Sequence, residues 1–365
     1  MGSPPSLSRG QAEKVVELLR KGLPPTGYVR AFTVGRESEL AELERSMHSV
    51  NGKGTARLIR ANYGSGKSHL LRVIREMALT SGYAVSFITM DSRGGVRGNR
   101  MDQVFAEFCR NIEIPNSDGH GLHVLFEAFA KATPTGVSAD HREKILAYGW
   151  NPAPLQVLGV KIALRSWMHD AGWLRDSTLA QFARGGLFIK SPRDYLYDQC
   201  WGALSDLHLV AQLAGMNGLV LLVDEFEDVV QNLNNRQYQQ VAFRTLFDFF
   251  DGRRFPGAAY FAVTPEFSQK CRDELYWRGV DDFPVDKFDK LPSFEMSPIT
   301  GADLRRLAWL VRDAHAIAYN LKPLERLSDA ALDQVVDIVS SSPSQDRTRR
   351  AIKGIVSALD VAVND

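Results

Sequence analysis

Cysteine is scarce: Cys109, Cys200 and Cys271 are the only three in 365 residues, far apart and without metal-ligand or Cys-x-x-Cys spacing. That argues against a disulfide framework or a zinc module and leaves buried thiols in a reducing compartment as the expectation. Long apolar runs are missing too. None approaches the roughly 20 residues of a membrane-spanning helix, and the first residues carry no signal-peptide core, so the expected setting is cytoplasmic with no membrane partner. Neither sign of charge is in excess: 44 Lys and Arg against 43 Asp and Glu give a net +1, which offers no whole-chain electrostatic case for nucleic acid. One short stretch, Arg93-Gly-Gly-Val-Arg-Gly-Asn-Arg100, is dense in Arg and Gly. It reads as a solvated loop, with a phosphate or partner contact as the alternative. Internal repeats and low-complexity tracts are absent. What remains, 44% hydrophobic and 24% charged residues, is ordinary globular composition, at a length that permits one large domain or a core with a smaller companion.

Patterning divides the chain into three parts. Residues 1–54 hold two amphipathic helices: the first is capped by Ser8 with a Val15, Val16, Leu18, Leu19 stripe, and the second carries Leu40, Leu43 and Met47 on one face. Pro24-Pro25-Thr-Gly27 separates them, and Asn51-Gly-Lys-Gly54 ends the second. Residues 55–297 read as α/β, with strands at Ala56–Ala61, Ala84–Met90, Leu219–Val223, Ala258–Val263 and Phe294–Met296 and a helix over Lys67–Thr80. Helices between strands imply a parallel sheet with right-handed crossovers. About 130 residues lie between Met90 and Leu219, far more than one crossover requires. Helical stripes at 104–108, 122–129, 160–168 and 195–213, with loops at 133–138 and 149–154, mark an insertion over roughly residues 101–200. Residues 298–365 read as a helical lid.

The strongest chemical signal is Ala61-Asn-Tyr63-Gly64-Ser65-Gly66-Lys67-Ser68, a P-loop with Ala in place of the first glycine. Small residues let successive backbone N–H groups curl around phosphates, and the following helix directs its N-terminus at the anion. Lys67 would neutralise the β- and γ-phosphates of ATP, and Ser68 would ligate Mg²⁺. The second signal is Leu219-Val-Leu-Leu-Val-Asp224-Glu225. A carboxylate at the end of a buried strand needs compensation, which a Mg²⁺ shell would supply to Asp224 as a Walker B acid. Glu225 is then placed to polarise the attacking water, a residue that a small-molecule kinase does not need. Third, Thr264 at the tip of Ala258–Val263, before Pro265, can sense the γ-phosphate. Arginines to neutralise developing charge include Arg272, Arg278, Arg349 and Arg350.

Val34-Gly35-Arg36-Glu37, the Tyr63–Leu71 box with His69, Leu-Val-Asp-Glu-Phe-Glu227 and Thr-Pro-Glu-Phe267 together resemble the ATP-binding proteins of BREX phage-defence loci, the BrxC/BrxD type. Those belong to the AAA+/ASCE-like P-loop ATPases, near the origin-recognition and STAND branches, and the likeness runs to Asp360. It implies a P-loop NTPase parallel-sheet core with a helical lid. It also implies Val34, Gly35 and Arg36 on the adenine side, and Arg349 at the sensor-2 position of the lid. The segment Ser340–Asp346 replaces the expected short Gly-rich lid turn. The implied function is Mg²⁺-dependent ATP hydrolysis within a bacterial defence or DNA-processing system, with other defence proteins, DNA and further copies of the chain as candidate partners. The alternative is a nucleotide-dependent switch or scaffold with little turnover.

The insertion holds none of the hydrolytic residues, yet Phe105, Phe108, Leu125, Phe126, Phe129, Leu164 and Trp167 give it an apolar face. Recognition is the expected use, since function rides on additions to a scaffold; a stabilising appendage is the alternative. Neutralising Arg142, Lys144 and Arg165 should weaken partner or DNA binding and leave basal ATPase intact. With duplex DNA, the slope of log K against log[salt] should become shallower by about 0.9 for each phosphate that the protein ceases to neutralise. Unchanged affinities after every charged position on the insertion had been neutralised would leave only the structural role.

Overall fold

The computed structural model describes residues 6–48, 53–62, 64–90, 96–132, 193–228, 235–277, 279–280, 283–321, 328–340 and 347–364. Its helices are α1 (Arg9–Arg20), α2 (Glu37–His48), α3 (Lys67–Thr80), α4 (Met101–Arg110), α5 (Leu122–Lys131), α6 (Arg193–Leu213), α7 (Arg236–Asp251), α8 (Phe267–Trp277), α9 (Gly301–Tyr319), α10 (Asp329–Ser340) and α11 (Arg347–Asn364). Its strands are β1 (Thr55–Arg60), β2 (Ala84–Thr89), β3 (Ile112–Glu113), β4 (Leu219–Asp224), β5 (Ala258–Val263) and β6 (Ser293–Glu295). The chain is a mixed α/β protein with one six-stranded sheet of order β3-β2-β4-β5-β1-β6.

The sheet is mostly parallel. β2 runs parallel to β4, with Ala84 opposite Leu219, and β4 runs parallel to β5, with Val220 opposite Ala258. β1 starts level with β5, since Thr55 N–H donates to Gly257 O at 3.0 Å. All six residues of β4 and of β5 are buried, which explains why both read as unbroken apolar runs rather than alternating ones. β1 and β2 are consecutive in the chain, yet β4 and β5 lie between them in the sheet.

Patterning leads one to expect only helices within the insertion. The structure corrects this: Ile112 and Glu113 pair antiparallel with Ser86 and Val85 and extend the sheet edge. Two residues are too few to establish an alternating pattern, so the strand has no readable signature. Helical expectations at 104–108, 122–129 and 195–213 are met by α4, α5 and α6. The stripe at 160–168, the loops at 133–138 and 149–154, and Arg142, Lys144 and Arg165 lie outside the described residues.

The chain divides into two compact units, Met1–Leu43 with Arg60–Glu76 and Glu295–Asp365, and Glu44–Ile59 with Met77–Phe294. In the first, Val15, Val16 and Leu19 of α1 form a core with Leu304, Leu307 and Val311 of α9 and Ile355 of α11. Both α1 and α9 open with a reciprocal capping box, Ser8 with Gln11 and Thr300 with Asp303, which satisfies otherwise orphaned N–H groups. In the second unit the core is aromatic. Phe226 meets Phe261 and Phe267 edge-on at 5.2 and 5.8 Å, and Phe243 meets Phe288 at 5.0 Å. Cys109, Cys200 and Cys271 are free and buried, as expected, and burial raises the pKa of Cys109 and Cys271.

At the head of β4 the ring of His208 is buried, and its Nδ1 accepts from Leu219 N–H at 3.1 Å. The proton therefore sits on Nε2, and burial pushes the pKa down to about 4. An unfolded histidine titrates near 6.5, so between pH 6.5 and 4 the unfolded chain binds more protons. Stability from this residue is complete above about pH 6.5 and declines as pH falls toward 4, by up to about 3 kcal/mol. Urea unfolding across pH 4–7 should show a shallower decline for His208→Asn than for the unsubstituted protein; equal slopes would place the titration elsewhere.

Candidate functional site

The glycine-rich loop leaves β1 and enters α3. Gly64 and Gly66 adopt φ of +74° and +96°, the left-handed region that glycine alone occupies without steric cost. Ser65 closes a turn onto Asn62, its N–H at 3.2 Å and its hydroxyl at 2.5 Å from Asn62 O. Gly66 O accepts from Leu70 N–H at 2.9 Å, which starts the helix. A Cβ on Gly66 would meet nothing nearer than His69 Cβ at 3.8 Å and Met296 Cε at 4.0 Å. Conformation, not crowding, selects glycine there. Lys67 is buried and Ser68 half-buried in the first turn of α3. Tyr63 lies outside the described residues.

Val34, Gly35 and Arg36 belong to the same unit as this loop. Val34 is in the core. Gly35 has φ +63°, and a Cβ on it would fall 2.6 Å from the Asp303 carboxylate carbon. Arg36 is buried; its Nη1 donates to Ser297 O and, at 3.2 Å, to Glu39 Oε1. Its Nη2 has no hydrogen-bond partner among the described residues. Burial pushes the Glu39 carboxyl up, but hydrogen bonds from Ser38, the backbone and Arg36 outweigh it and leave the pKa below the ordinary value. His69, the residue after Ser68, places Nε2 2.8 Å from Thr33 Oγ1.

In the other unit, Asp224 ends β4 and is buried, its Oδ1 accepting from Glu225 N–H at 3.1 Å. Glu225 adopts φ +55°, a left-handed conformation that costs a non-glycine residue about 1–2 kcal/mol and is typical of functional turns. Phe226 fixes the far side of that turn: its N–H donates to Ala262 O at 3.3 Å and its ring is buried against Phe261. Asp224 and Glu225 thus come from one rigid strand exit. Thr264 follows β5 directly and is buried, and its Oγ1 has no hydrogen-bond partner among the described residues. A buried hydroxyl without a partner costs roughly 1–3 kcal/mol.

The arginine candidates fare differently. Arg349 is exposed in the first turn of α11, and its stem and that of Lys353 lie over Gly22: a Cβ there would come 2.9 Å from Arg349 Cγ and 2.6 Å from Lys353 Cε. Gly22 follows the C-terminus of α1, whose dipole favours cations. No spacing rule foretells that contact, because Gly22 and Arg349 are at opposite ends of the sequence. Arg350 is also exposed. Arg272 is engaged by Asp289 and Gln269, and Arg278 lies outside the described residues. Among the described residues no group of three or more His, Cys, Asp or Glu gathers as a metal cage, and no helix is long and apolar enough to cross a membrane. The residues that sequence reasoning missed are Thr33, Glu76 and Asp303, each recognisable only through its spatial partner.

Over residues 7–147 and 173–365 the chain matches the model of the BREX system ATP-binding protein BrxC/D family, and it belongs to that family. No curated protein matches it, and no solved structure matches it.

The two glycines separate backbone strain from crowding. Gly66→Ala should lower stability by about 1–2 kcal/mol, the left-handed cost alone. Gly35→Ala should lose about 1–2 kcal/mol more, because Asp303 must move and the α9 cap weakens. Denaturant unfolding of both variants checks this; equal losses would mean that Asp303 yields without cost.

Proposed function

We propose, from membership of the BREX ATP-binding family, that this chain is a Mg²⁺-dependent ATPase on a P-loop, AAA+/ASCE-like core, acting in phage defence. The observation that carries this reading is the loop from Asn62 to Ser68, with Gly64 and Gly66 at positive φ opening directly onto the N-terminus of α3. Such a turn directs backbone N–H groups at an anion, and the helix dipole adds to their field.

In this reading Lys67 neutralises the β- and γ-phosphates of ATP, and Ser68 and Asp224 supply oxygen ligands to Mg²⁺. Two oxygen donors suit an ion that keeps several waters and takes the rest of its shell from phosphates. Glu225 polarises the attacking water, and its strained turn fixes the carboxylate direction before substrate arrives. The Thr264 hydroxyl, which has no partner among the described residues, gains an acceptor in the γ-phosphate or that water. Val34, Gly35 and Arg36 border the adenine, and Arg349, in the 298–365 lid, is the sensor arginine with Arg278 as the charge-neutralising finger. Other BREX proteins are the partners, with DNA and a second copy as further ligands, in the reducing cytoplasm that free, buried cysteines suit.

Lys67→Ala should abolish ATP binding, and Glu225→Gln should keep binding while lowering kcat by at least about 10²-fold, the scale of lost general-base help. Isothermal titration and steady-state phosphate release measure the two. Near-native affinity in Lys67→Ala would overturn the loop assignment. Unchanged turnover in Glu225→Gln would move the chemistry elsewhere or make the protein a switch.

A further inference from the structure

His69 follows Lys67 and Ser68 directly, so whatever orients it orients them. Its Nε2 lies 2.8 Å from Thr33 Oγ1, and Thr33 Oγ1 lies 2.7 Å from Val29 O. A carbonyl oxygen only accepts, so the threonine proton goes to Val29 and Thr33 Oγ1 accepts from His69 Nε2–H.

The same short segment grips α3 a second time. Glu76 stands seven residues beyond His69, two helical turns along and on the same side. Its Oε1 and Oε2 accept from Val29 N–H and Arg30 N–H, both at 3.0 Å. Val29–Thr33 is therefore bonded to α3 at two points about 10 Å apart. Sliding α3 by one residue would shift it about 1.5 Å and turn it about 100°, which breaks both attachments. All of these residues lie in one compact unit.

We propose that Thr33 and His69 are positioning residues for nucleotide: with Glu76 they splint the first turn of α3 and fix the direction in which Lys67 and Ser68 point. This rests on the ATP-binding reading above. His69 contacts Thr33 and in this proposal acts through its two neighbours. Phosphate binding at a helix N-terminus depends on the aim of N–H groups and one ammonium, so a loose first turn costs affinity while the rest of the fold stands.

The test is Mg·ATP titration of the full chain and of Thr33→Val, Thr33→Ser, His69→Phe and the Thr33→Val/His69→Phe double variant, with thermal unfolding of each. Thr33→Val keeps the shape and removes the hydroxyl. It should raise Kd about tenfold, the scale of one hydrogen bond, while Thr33→Ser stays within about twofold. The double variant should lose no more than the larger single loss, because both remove one bond. Unchanged Kd in Thr33→Val beside an unsubstituted protein that binds ATP would overturn the proposal, whatever happens to Tm. So would equal losses in the Ser and Val variants, or additive losses in the cycle. An unsubstituted protein that fails to bind ATP would overturn the function itself, and this inference with it.

Discussion

A strand buried along its whole length cannot end in a carboxylate without something to receive the charge, and β4 does end in one. Leu219 to Val223 are wholly enclosed, and Asp224 is buried as well. Among the described residues the backbone offers Asp224 the N–H of Glu225, and Glu225 itself turns into the left-handed region. The parallel direction of β2, β4 and β5 gives this ending its context: each strand exits at the same edge of the sheet, and the exit of β5 carries Thr264 with its unpartnered hydroxyl. Other buried hydroxyls of that unit are paired, such as Ser46 with Tyr260 at 2.7 Å and Ser86, which donates to Phe108 O at 2.8 Å. Deficits of this kind persist where a ligand resolves them, which is why the strand exits carry the chemistry in the proposed reading.

The other unit solves a different problem, that of gathering remote stretches of chain. α1, the 29–36 segment and the C-terminal helices share a core made mostly of small and branched aliphatic residues. The polar contacts within it are long-range: Arg20 to Asp360 at 2.9 Å, His315 to the same carboxylate at 2.9 Å, Arg36 to Ser297. Arg20 and His315 hold Asp360 below the usual carboxylate range against the opposing push of burial. Such ties replace the strand pairing that orders the sheet, and they bring the first 40 residues into one body with the last 70.

Much of this was legible beforehand, for physical reasons. Buried strands announce themselves as unbroken apolar runs, and β4 and β5 were readable to within a residue. The break from β1 to α3 was readable because glycine has few other uses at that density. β3 was not, since two paired residues make no pattern. The left-handed turn at Glu225 was equally hidden: glutamate has no preference for that region, and only the surrounding packing imposes it. His69 shows the limit most clearly. Its place beside Lys67 and Ser68 suggests a ligand contact, and only the fold reveals that Thr33, 36 residues earlier, has its Oγ1 2.8 Å from the His69 Nε2. Likewise the stem of Arg349 rests on Gly22, a relation that no local window contains.

The family match adds a final constraint. It spans the residues of both units that hold the loop, Asp224, Glu225, Thr264 and the C-terminal helices, and between its two segments it omits residues 148–172. That stretch lies inside the long interval between β2 and β4, where the order of the sheet requires no more than a crossover. The sheet can tolerate length there because β2 and β4 are direct neighbours whose pairing, from Ala84 with Leu219 to Thr89 with Asp224, is complete without it. Loop-closure cost grows only with the logarithm of the intervening length, so added residues weigh little on the core.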